Sequence, residues 1–441
     1  MRRLQFYMLM VFLCSSPFVP FVARQLREAI GSHVVVVLFW VIAASILYGL
    51  TLIALMNSTP RASGSTNILD AAIGLYALVI FVQMANGHLP SYQYALRGLF
   101  ESGQWILAYI LARFVISNHR RGGQFLTLVA VTVSLQALYG VLALWIGVER
   151  IDPLMIQLST HAHALFTYRA VGMLGSPFSF GLLCAMGVVV ALIRGASSSR
   201  ATWRLAMALA LLGSTAGVVA SGSRTSMFAI GVAVLVWLGV GASRKRGLKC
   251  ARKGRRRMLA YTVVSALFLL VLASAFLPMA GGSYYTRQML TLADPLTVDS
   301  MVARFDMWGR LAPVILADPW GRGIGSLGNA TYLYGEVVGL TVADNQYLEV
   351  AVETGVIGLT LLVAILAAAC AYSLRLAASG SSLGLAALLA CVAVIIAGIA
   401  GPPLKAFPAN ILFGCLLGAM SGEYSRWRRS RRESARAGAE A

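Results

Sequence analysis

An acid and two amides stand directly before a long apolar run, in the stretch VADNQYL of residues 342–348. Asp344 and Asn345 are residue types that cap the first turn of a helix, and an aspartate at that place also suits the helix dipole. A carboxylate fixed at a helix start can in addition accept a proton from an attacking hydroxyl group. Both interpretations stay open from the sequence alone, and each is compatible with the other.

A second candidate is Arg224, which lies in a short polar turn between two apolar runs, ASGSRTS at residues 220–226. A charge so close to apolar segments is costly in a membrane, so a charged partner is expected. Ser223 and the neighbouring hydroxyl groups, together with the free N–H groups of the next helix, favour an anion as that partner. The alternative is an arginine that only anchors its helix at the membrane interface.

An amphipathic helix is predicted at residues 301–316, where apolar side chains recur with the spacing of one helix face. Asp299 or Ser300 suits its N-cap. The helix would lie along the membrane surface, with Arg304 near its start. A Gly-rich stretch at residues 320–328 follows, which allows close backbone approach to a ligand and fits an ordinary flexible turn as well.

Arg169 and a histidine pair complete the candidates. Arg169 stands at another helix entrance, where a cap or a lipid-headgroup contact is the alternative to substrate binding. His161 and His163 could ligate a metal, but two histidines without nearby acids more often hold none. We therefore expect no metal at the site.

The composition predicts the elements that position these residues. Hydrophobic residues make up 59% of the 441 residues and charged residues 12%, and the mean hydropathy is +0.77. Apolar runs of about 17 to 25 residues match the helix length that crosses a hydrocarbon layer about 30 Å thick. The sequence thus predicts an all-α integral membrane protein with about twelve transmembrane helices. The predicted spans are residues 5–22, 34–56, 68–86, 95–117, 124–148, 171–193, 204–220, 225–242, 258–279, 346–374, 383–400 and 407–421.

The formal net charge of +20 follows a topological pattern. Its arginines and lysines cluster on alternate loops, which the positive-inside rule assigns to the cytoplasm. Both termini then lie in the cytoplasm, and the candidate residues lie on the outside face. Membrane lipids with anionic headgroups account for the basic run at residues 244–257, so no nucleic-acid partner is expected.

Four segments follow from this topology. They are residues 1–279 with nine helices and the basic cytoplasmic loop 243–257, an outside loop at 280–345, residues 346–422 with three helices, and a basic cytoplasmic tail at 423–441. An outside loop of that length, which contains the amphipathic helix, is typical of a functional segment. Every cysteine except Cys250 lies in an apolar run, so no disulfide framework is expected.

Several short motifs, in order from about residue 165 to residue 360, resemble the O-antigen ligase and polymerase superfamily. The resemblance implies a multispan glycosyltransferase of the bacterial inner membrane that works without metal or cofactor. Its donor would be an undecaprenyl-diphosphate-linked glycan, and its active site, with residues 280–345 as catalytic loop, would be periplasmic. The motifs are Arg169-Ala-Val-Gly172 with Ser176-Pro177, Ser221-Gly-Ser-Arg224, Arg304 to Trp308, Gly321-Arg-Gly-Ile-Gly325, and Asp344-Asn-Gln-Tyr-Leu348 with the stretch 353–358.

The same resemblance implies roles for individual residues. Arg224 and Arg304 match the two principal arginines of the ligases, which hold the lipid diphosphate. The ligases carry a histidine as proposed base where this chain has Asp344, and this departure favours the polymerase or exopolysaccharide branch. The catalytic set is then Asp344, Arg224 and Arg304, and the expected substrate-binding residues are Arg169, Ser223, Asn345, Tyr347, Arg322 and Trp308.

Alternatives remain for the chemistry and for the class of protein. A carboxylate near arginines is a weak base, so Asp344 would orient the acceptor hydroxyl rather than abstract its proton. The acceptor is a second lipid-linked glycan in a polymerase, and lipid A core or a protein hydroxyl in a ligase. A transporter of lipid-linked oligosaccharide is the main rival, disfavoured because the spans are nearly free of central charge and show no two-fold repeat. A scaffold protein would need no cluster of outside arginines.

Overall fold

The computed structural model describes residues 2–19, 22, 49, 67–116, 119–151, 169–174, 176–243 and 299–440. Within these ranges every regular element is a helix. The span predicted at 258–279 and the pair His161 and His163 lie outside the described residues, as does almost all of the span predicted at 34–56.

Each predicted span within the described ranges coincides with a helix. A short 3-10 turn at Ser16–Phe18 follows the first helix. The helices are α1 (Arg2–Ser15), α2 (Ile68–Gln83), α3 (Tyr92–Val115), α4 (His119–Ile146), α5 (Val148–Ile151), α6 (Pro177–Ser197), α7 (Ala201–Ser221), α8 (Arg224–Ser243), α9 (Asp299–Ala317), α10 (Asn329–Tyr334), α11 (Gln346–Ala378), α12 (Ser382–Ala397) and α13 (Ala409–Glu440).

Four of the described helices are long and apolar enough to cross a membrane. They are Arg121–Ile146 within α4, and the whole of α6, α7 and α11. Shorter apolar helices accompany them at Gln5–Ser15, Ile68–Gln83, Arg224–Val240 and Ser382–Ala397. Length and composition therefore agree with an all-α membrane protein.

Contacts across the bundle define its two ends. At one end the Asn67 side-chain amide, beside the start of α2, donates to Ser421 Oγ of α13 at 2.9 Å. At the other end Gln83, the last residue of α2, donates through its side chain to Trp320 O at 2.5 Å. We call this second end the site end, because all the sequence-predicted site residues lie there.

Helices α3 and α13 pack with their backbones almost in contact. Three glycines spaced four residues apart on α13 make this possible, since small residues allow close helix approach in membranes. A Cβ added at Gly414 would lie 2.1 Å from Trp105 O, one at Gly418 would lie 2.1 Å from Tyr109 O, and one at Gly422 would lie 3.0 Å from Arg113 O.

Helix α11 is broken at Gly355, where φ is 68°. A straight helix of 33 residues would be about 50 Å long, and the neighbouring 16-residue α12 is only about 24 Å long. The two helices are joined by residues 379–381, yet Gln346 N at the far end of α11 donates to Gly398 O, just past α12, at 2.8 Å. Residues 346–354 must therefore turn away from the line of the helix, and we call them the half-helix.

The Gly-rich turn at residues 320–328, together with Pro319 before it, satisfies the backbone groups that this break leaves without helical partners. Such groups need partners wherever water is excluded. Gly355 has no room for a side chain, because an added Cβ would lie 2.3 Å from Pro319 O. The bonds run from Arg322 N to Val352 O at 2.7 Å, from Gly323 N to Glu353 O at 3.1 Å, and from Val356 N to Pro319 O at 2.9 Å.

The predicted amphipathic helix is present as α9, and its apolar face has contacts that the sequence did not predict. The structure describes helix α9 from Asp299 to Ala317, and the residues before Asp299 lie outside the described ranges, so the N-cap at Asp299 or Ser300 stays a prediction. Its Leu311 is fully buried against Leu327 and Val352. The apolar face of α9 thus packs on the Gly-rich turn and the half-helix rather than only on lipid.

We expect Gly418→Ala to destabilise the protein by about 1 to 3 kcal/mol, because the new methyl group would overlap a carbonyl of α3. Denaturant unfolding in detergent micelles measures this change. Gly74→Ala on α2 is the matched control, since nothing lies within 4 Å of its added Cβ. Equal stability of the two variants would contradict the close packing of α3 and α13.

Candidate active site

The two residues of most chemical interest, Arg304 and Asp344, lie together. The Nε of Arg304 on α9 is 3.5 Å from Oδ2 of Asp344. The Asp344 side chain is 42% exposed and that of Arg304 is 23% exposed. The guanidinium Nε makes no hydrogen bond at this distance. Both groups therefore keep the capacity to bind a further ligand while they face each other.

Asp344 and Asn345 have different roles in the structure, which separates the two interpretations of the motif. Asn345 Oδ1 caps α11 by accepting from Tyr347 N at 2.9 Å and from Leu348 N at 3.2 Å. Asp344 takes no part in the cap and has a left-handed backbone with φ 45°. That conformation is uncommon outside glycine, although Asp tolerates it better than most residues. The cap thus belongs to Asn345, and the Asp344 carboxylate stays accessible.

The first turn of α11 is tied to the loop at residues 398–408. Gln346 Oε1 accepts from Leu404 N at 3.0 Å, and the Tyr347 hydroxyl donates to Ile395 O at 2.9 Å. Because Gln346 N and the next two N–H groups already have acceptors, this helix start offers little to a phosphate. Tyr347 and Asn345 therefore stabilise the start of α11 rather than bind a phosphate there.

Trp308 connects α9 to the residue before Asp344. Its indole N–H donates to Ala343 O at 3.0 Å, and its ring meets Phe305 edge-on at 5.4 Å. Trp308 follows Arg304 by one helical turn, so it lies on the same face of α9. This bond holds the chain before Asp344 against the helix that carries Arg304.

Arg169 and Arg224 belong to a second group, around the turn between α7 and α8. Arg169 Nε donates to Ser221 O at 2.8 Å, and its side chain covers Gly222. Gly222 has φ 58° and ends α7, as the C-terminal residue of a helix often does. Arg224 is the first residue of α8 and is half-buried.

The serines of this turn are buried rather than open to a ligand. Ser223 Oγ lies 2.9 Å from Ser226 Oγ, and Ser221 Oγ donates to Val218 O at 2.6 Å. All three pack against Gly181 of α6, where an added Cβ would lie 2.7 Å from Ser221 Oγ. Their hydroxyl groups therefore fix the turn that presents Arg224.

Arg322 has its own carboxylate partner. Its guanidinium pairs with Asp318, which also lies 3.8 Å from His88 Nε2. Its backbone N–H belongs to the bonds at the α11 break. An anion at Arg322 would have to compete with Asp318.

The loop 398–408 links the two groups of arginines. It binds Gln346, next to Asn345. The loop also contacts α6 through Gly401, which leaves room for the ring of Phe178. An added Cβ at Gly401 would lie 2.7 Å from Phe178 Cζ. Phe178 lies one turn before Gly181 on α6. Both groups thus lie at the site end, next to elements that contact this loop.

A buried ion cluster lies beneath the half-helix, and the sequence analysis did not identify it. Lys405 Nζ donates to Glu349 Oε1 at 2.7 Å and to Glu353 Oε1 at 2.8 Å, with side-chain exposures of 5%, 2% and 1%. Gly325 N also donates to Glu353 Oε1, at 2.9 Å. Both glutamates lie in the first eight residues of the predicted span 346–374, before the break at Gly355, and not at its centre. Two glutamates four residues apart in an apolar run were the available signal.

The loop lysine of this cluster remains a cation. Burial by itself lowers the pKa of Lys405, but the carboxylates of Glu349, Glu353 and Glu101 outweigh it and raise that pKa well above its usual value. Glu101 is in turn paired with Arg97 at 2.6 Å. The charges of the cluster are thus largely compensated inside the bundle.

The arrangement as a whole can bind an anion beside a hydroxyl group. A guanidinium group neutralises phosphate oxygens, and an exposed carboxylate can accept a hydrogen bond from an alcohol. Arg304 and Asp344 supply both functions within one contact. A reaction in which a phosphate leaves and a hydroxyl group attacks would need such a pair.

Comparison with known proteins agrees with this chemistry. Residues 207–363 match the family described as O-antigen ligase. The match includes Arg224, Arg304 and Asp344 and leaves out Arg169. It supports the O-antigen ligase and polymerase superfamily that the sequence motifs resemble. No curated protein matches the chain.

We expect Asn345→Ala to lower the free energy of unfolding by about 1 kcal/mol, because two N–H groups of α11 lose their acceptor. Asn345→Asp keeps an acceptor oxygen and should lose less. Ser381→Ala is the matched control, since Ser381 caps the start of α12 by accepting a hydrogen bond from Gly384 N. Denaturant unfolding that shows a loss for Ser381→Ala and none for Asn345→Ala would contradict the cap.

Proposed function

We propose that this chain, whose residues 207–363 match the O-antigen ligase family, transfers a lipid-linked glycan to an acceptor hydroxyl group. The family match supports glycan transfer in O-antigen biosynthesis as the general activity. The donor that we propose is an undecaprenyl-diphosphate-linked glycan, and the place of transfer is the periplasmic face of the bacterial inner membrane. The observation that carries the proposal is the contact of Arg304 with Asp344 at the start of the half-helix.

The reaction consists of one displacement at the anomeric carbon of the donor. A bond forms from the acceptor oxygen to that carbon, and the bond from the carbon to the diphosphate oxygen breaks. The electron pair leaves with undecaprenyl diphosphate, whose charge Arg304 and Arg224 stabilise. Asp344 accepts the hydrogen bond of the acceptor hydroxyl and orients its oxygen for attack. The proton of that hydroxyl passes to the departing diphosphate, so Asp344 ends the reaction unprotonated. The proposal includes no metal and no cofactor.

The proposed topology has about twelve transmembrane helices with both termini in the cytoplasm. Residues 280–345 form the periplasmic catalytic loop, and residues 423–441 form a cytoplasmic tail. The contacts of the bundle support this arrangement, because Asn67 and Ser421 meet at the end opposite to the site end. The basic tail continues α13 beyond that same end.

We favour a polymerase over a ligase. The ligases that the sequence resembles carry a histidine where this chain has Asp344. This departure from the ligase motif favours an acceptor that is itself a lipid-linked glycan, as in O-antigen or exopolysaccharide polymerisation. Transfer to lipid A core is the alternative.

A transporter of lipid-linked oligosaccharide is the second candidate function. The broken α11 and the buried charges of Glu349 and Glu353 favour it, because transporters carry such features near their substrate sites. The family match to O-antigen ligase favours the transferase. A transporter would leave the length of the glycan unchanged.

We expect Arg304→Ala and Arg224→Ala each to lower transfer by a factor of about 100 or more, because each removes a cation that stabilises the leaving diphosphate. Arg310→Ala is the matched control on α9, since Arg310 is exposed and pairs only locally with Asp306. A gel of surface polysaccharide from a deletion strain carrying each variant measures the result. Full activity of either Arg304→Ala or Arg224→Ala would contradict the proposal.

Asp344→Asn should keep measurable transfer, with a loss smaller than about 100-fold, because an amide oxygen can still accept the hydrogen bond of the acceptor hydroxyl. Asp344→Ala, which removes that oxygen, should lose more. Initial rates with purified protein in membranes measure both variants. Equal losses of about 10⁴-fold in both would show that Asp344 is a general base and not an orienting group.

A further inference from the structure

Asp344 depends on its neighbours in the chain for its place. Arg304 faces it at 3.5 Å, a distance too long for a firm hydrogen bond. Its left-handed backbone must be held by the segments on either side. Trp308 holds the preceding residue, and the half-helix holds the following one. The half-helix therefore needs a firm attachment of its own.

Three ties attach the half-helix to the loop 398–408, and they differ in strength. Two are hydrogen bonds of Gln346, to Gly398 O and from Leu404 N. The third joins Lys405 to Glu349 and Glu353. It is the one tie of the three that involves charges, and it reaches two successive turns of the half-helix. Charge-assisted hydrogen bonds in a buried site are stronger than neutral ones.

The Lys405 tie also includes the Gly-rich turn. Glu353 accepts from Gly325 N with the same oxygen that Lys405 binds. Gly328 lies over the cluster, since an added Cβ there would be 2.9 Å from Glu349 Oε1 and 3.7 Å from Lys405 Nζ. The cluster thus joins the loop 398–408, the half-helix and the turn that satisfies the α11 break.

We propose that Lys405 is a positioning residue of the transferase, which fixes the half-helix through Glu349 and Glu353 and thereby sets Asp344 opposite Arg304. Lys405 is buried, with its side chain only 5% exposed, so it acts through Glu349 and Glu353. The inference rests on the proposed function, because Asp344 acts on the acceptor only in that reaction. A misplaced Asp344 should slow the transfer step more than it weakens donor binding.

The first test is Lys405→Met, measured by hydrogen–deuterium exchange and by transfer kinetics. Exchange should rise in residues 341–354 and stay unchanged in residues 67–73, at the opposite end of the bundle. We expect kcat to fall at least about tenfold, with KM for the donor within about twofold of the wild type. Unchanged exchange in residues 341–354 would overturn the inference. The exchange result decides the inference even if the wild-type protein transfers no glycan, an outcome that would overturn the proposed function alone.

A second variant separates positioning from the cost of burying unpaired carboxylates. The triple variant Lys405→Met, Glu349→Gln, Glu353→Gln has no unpaired charge, so its resistance to denaturant should recover toward the wild type. Because the tie is still absent, its exchange in residues 341–354 should stay high and its kcat low. Recovery of kcat together with stability would overturn the inference, since Lys405 would then only neutralise charge.

The matched control is the buried ion pair at the opposite end of the bundle. Arg113 Nη2 lies 2.5 Å from Asp70 Oδ2, with side chains 10% and 13% exposed. The double variant Arg113→Met, Asp70→Asn should lower stability and leave both the exchange of residues 341–354 and kcat unchanged. A loss of kcat in this control equal to that of the triple variant would contradict a specific role for Lys405.

Discussion

A helix that breaks inside an apolar bundle needs a hydrogen-bond partner for each backbone group it frees. The break of α11 at Gly355 meets this need with the N–H groups of the Gly-rich turn and the C=O group of Pro319, which replace the missing helical bonds. Gly321 and Gly355 have no side chains, so the backbone of the turn can contact the backbone of α11 at the break. The direction of the half-helix follows from this contact, and so do the places of Asn345 and Asp344. The Gly-rich turn, for which close approach to a ligand was one of two interpretations, is thus part of the support of the site.

Much of the fold could be predicted because apolar runs of helical length leave few alternatives. The helix carrying Arg304 was also predictable, since its apolar face repeats regularly. The break of α11 was not, because a single glycine in an apolar run has the same pattern in a straight helix. The Lys405 cluster was missed for a related reason: Lys405 is about 50 positions from its partners, and only the fold brings them together. The division of roles between Asp344 and Asn345 required the backbone angles.

The site combines a rigid support with a small reactive surface. Buried serines fix the turn before Arg224, Trp308 fixes the chain before Asp344, and the ion cluster fixes the chain after it. Arg304 and Asp344 remain partly exposed at the centre of these supports. A preorganised cation and an orienting carboxylate can stabilise a leaving diphosphate without reorganisation during the reaction.

The most direct test of the central claim uses the wild-type protein reconstituted in vesicles with an undecaprenyl-diphosphate-linked glycan on the side that the site end faces. Glycan length and free undecaprenyl diphosphate are measured together. The account predicts longer or transferred glycan and one undecaprenyl diphosphate released for each bond formed. Movement of the lipid-linked unit across the membrane with its length unchanged and no diphosphate released would contradict it.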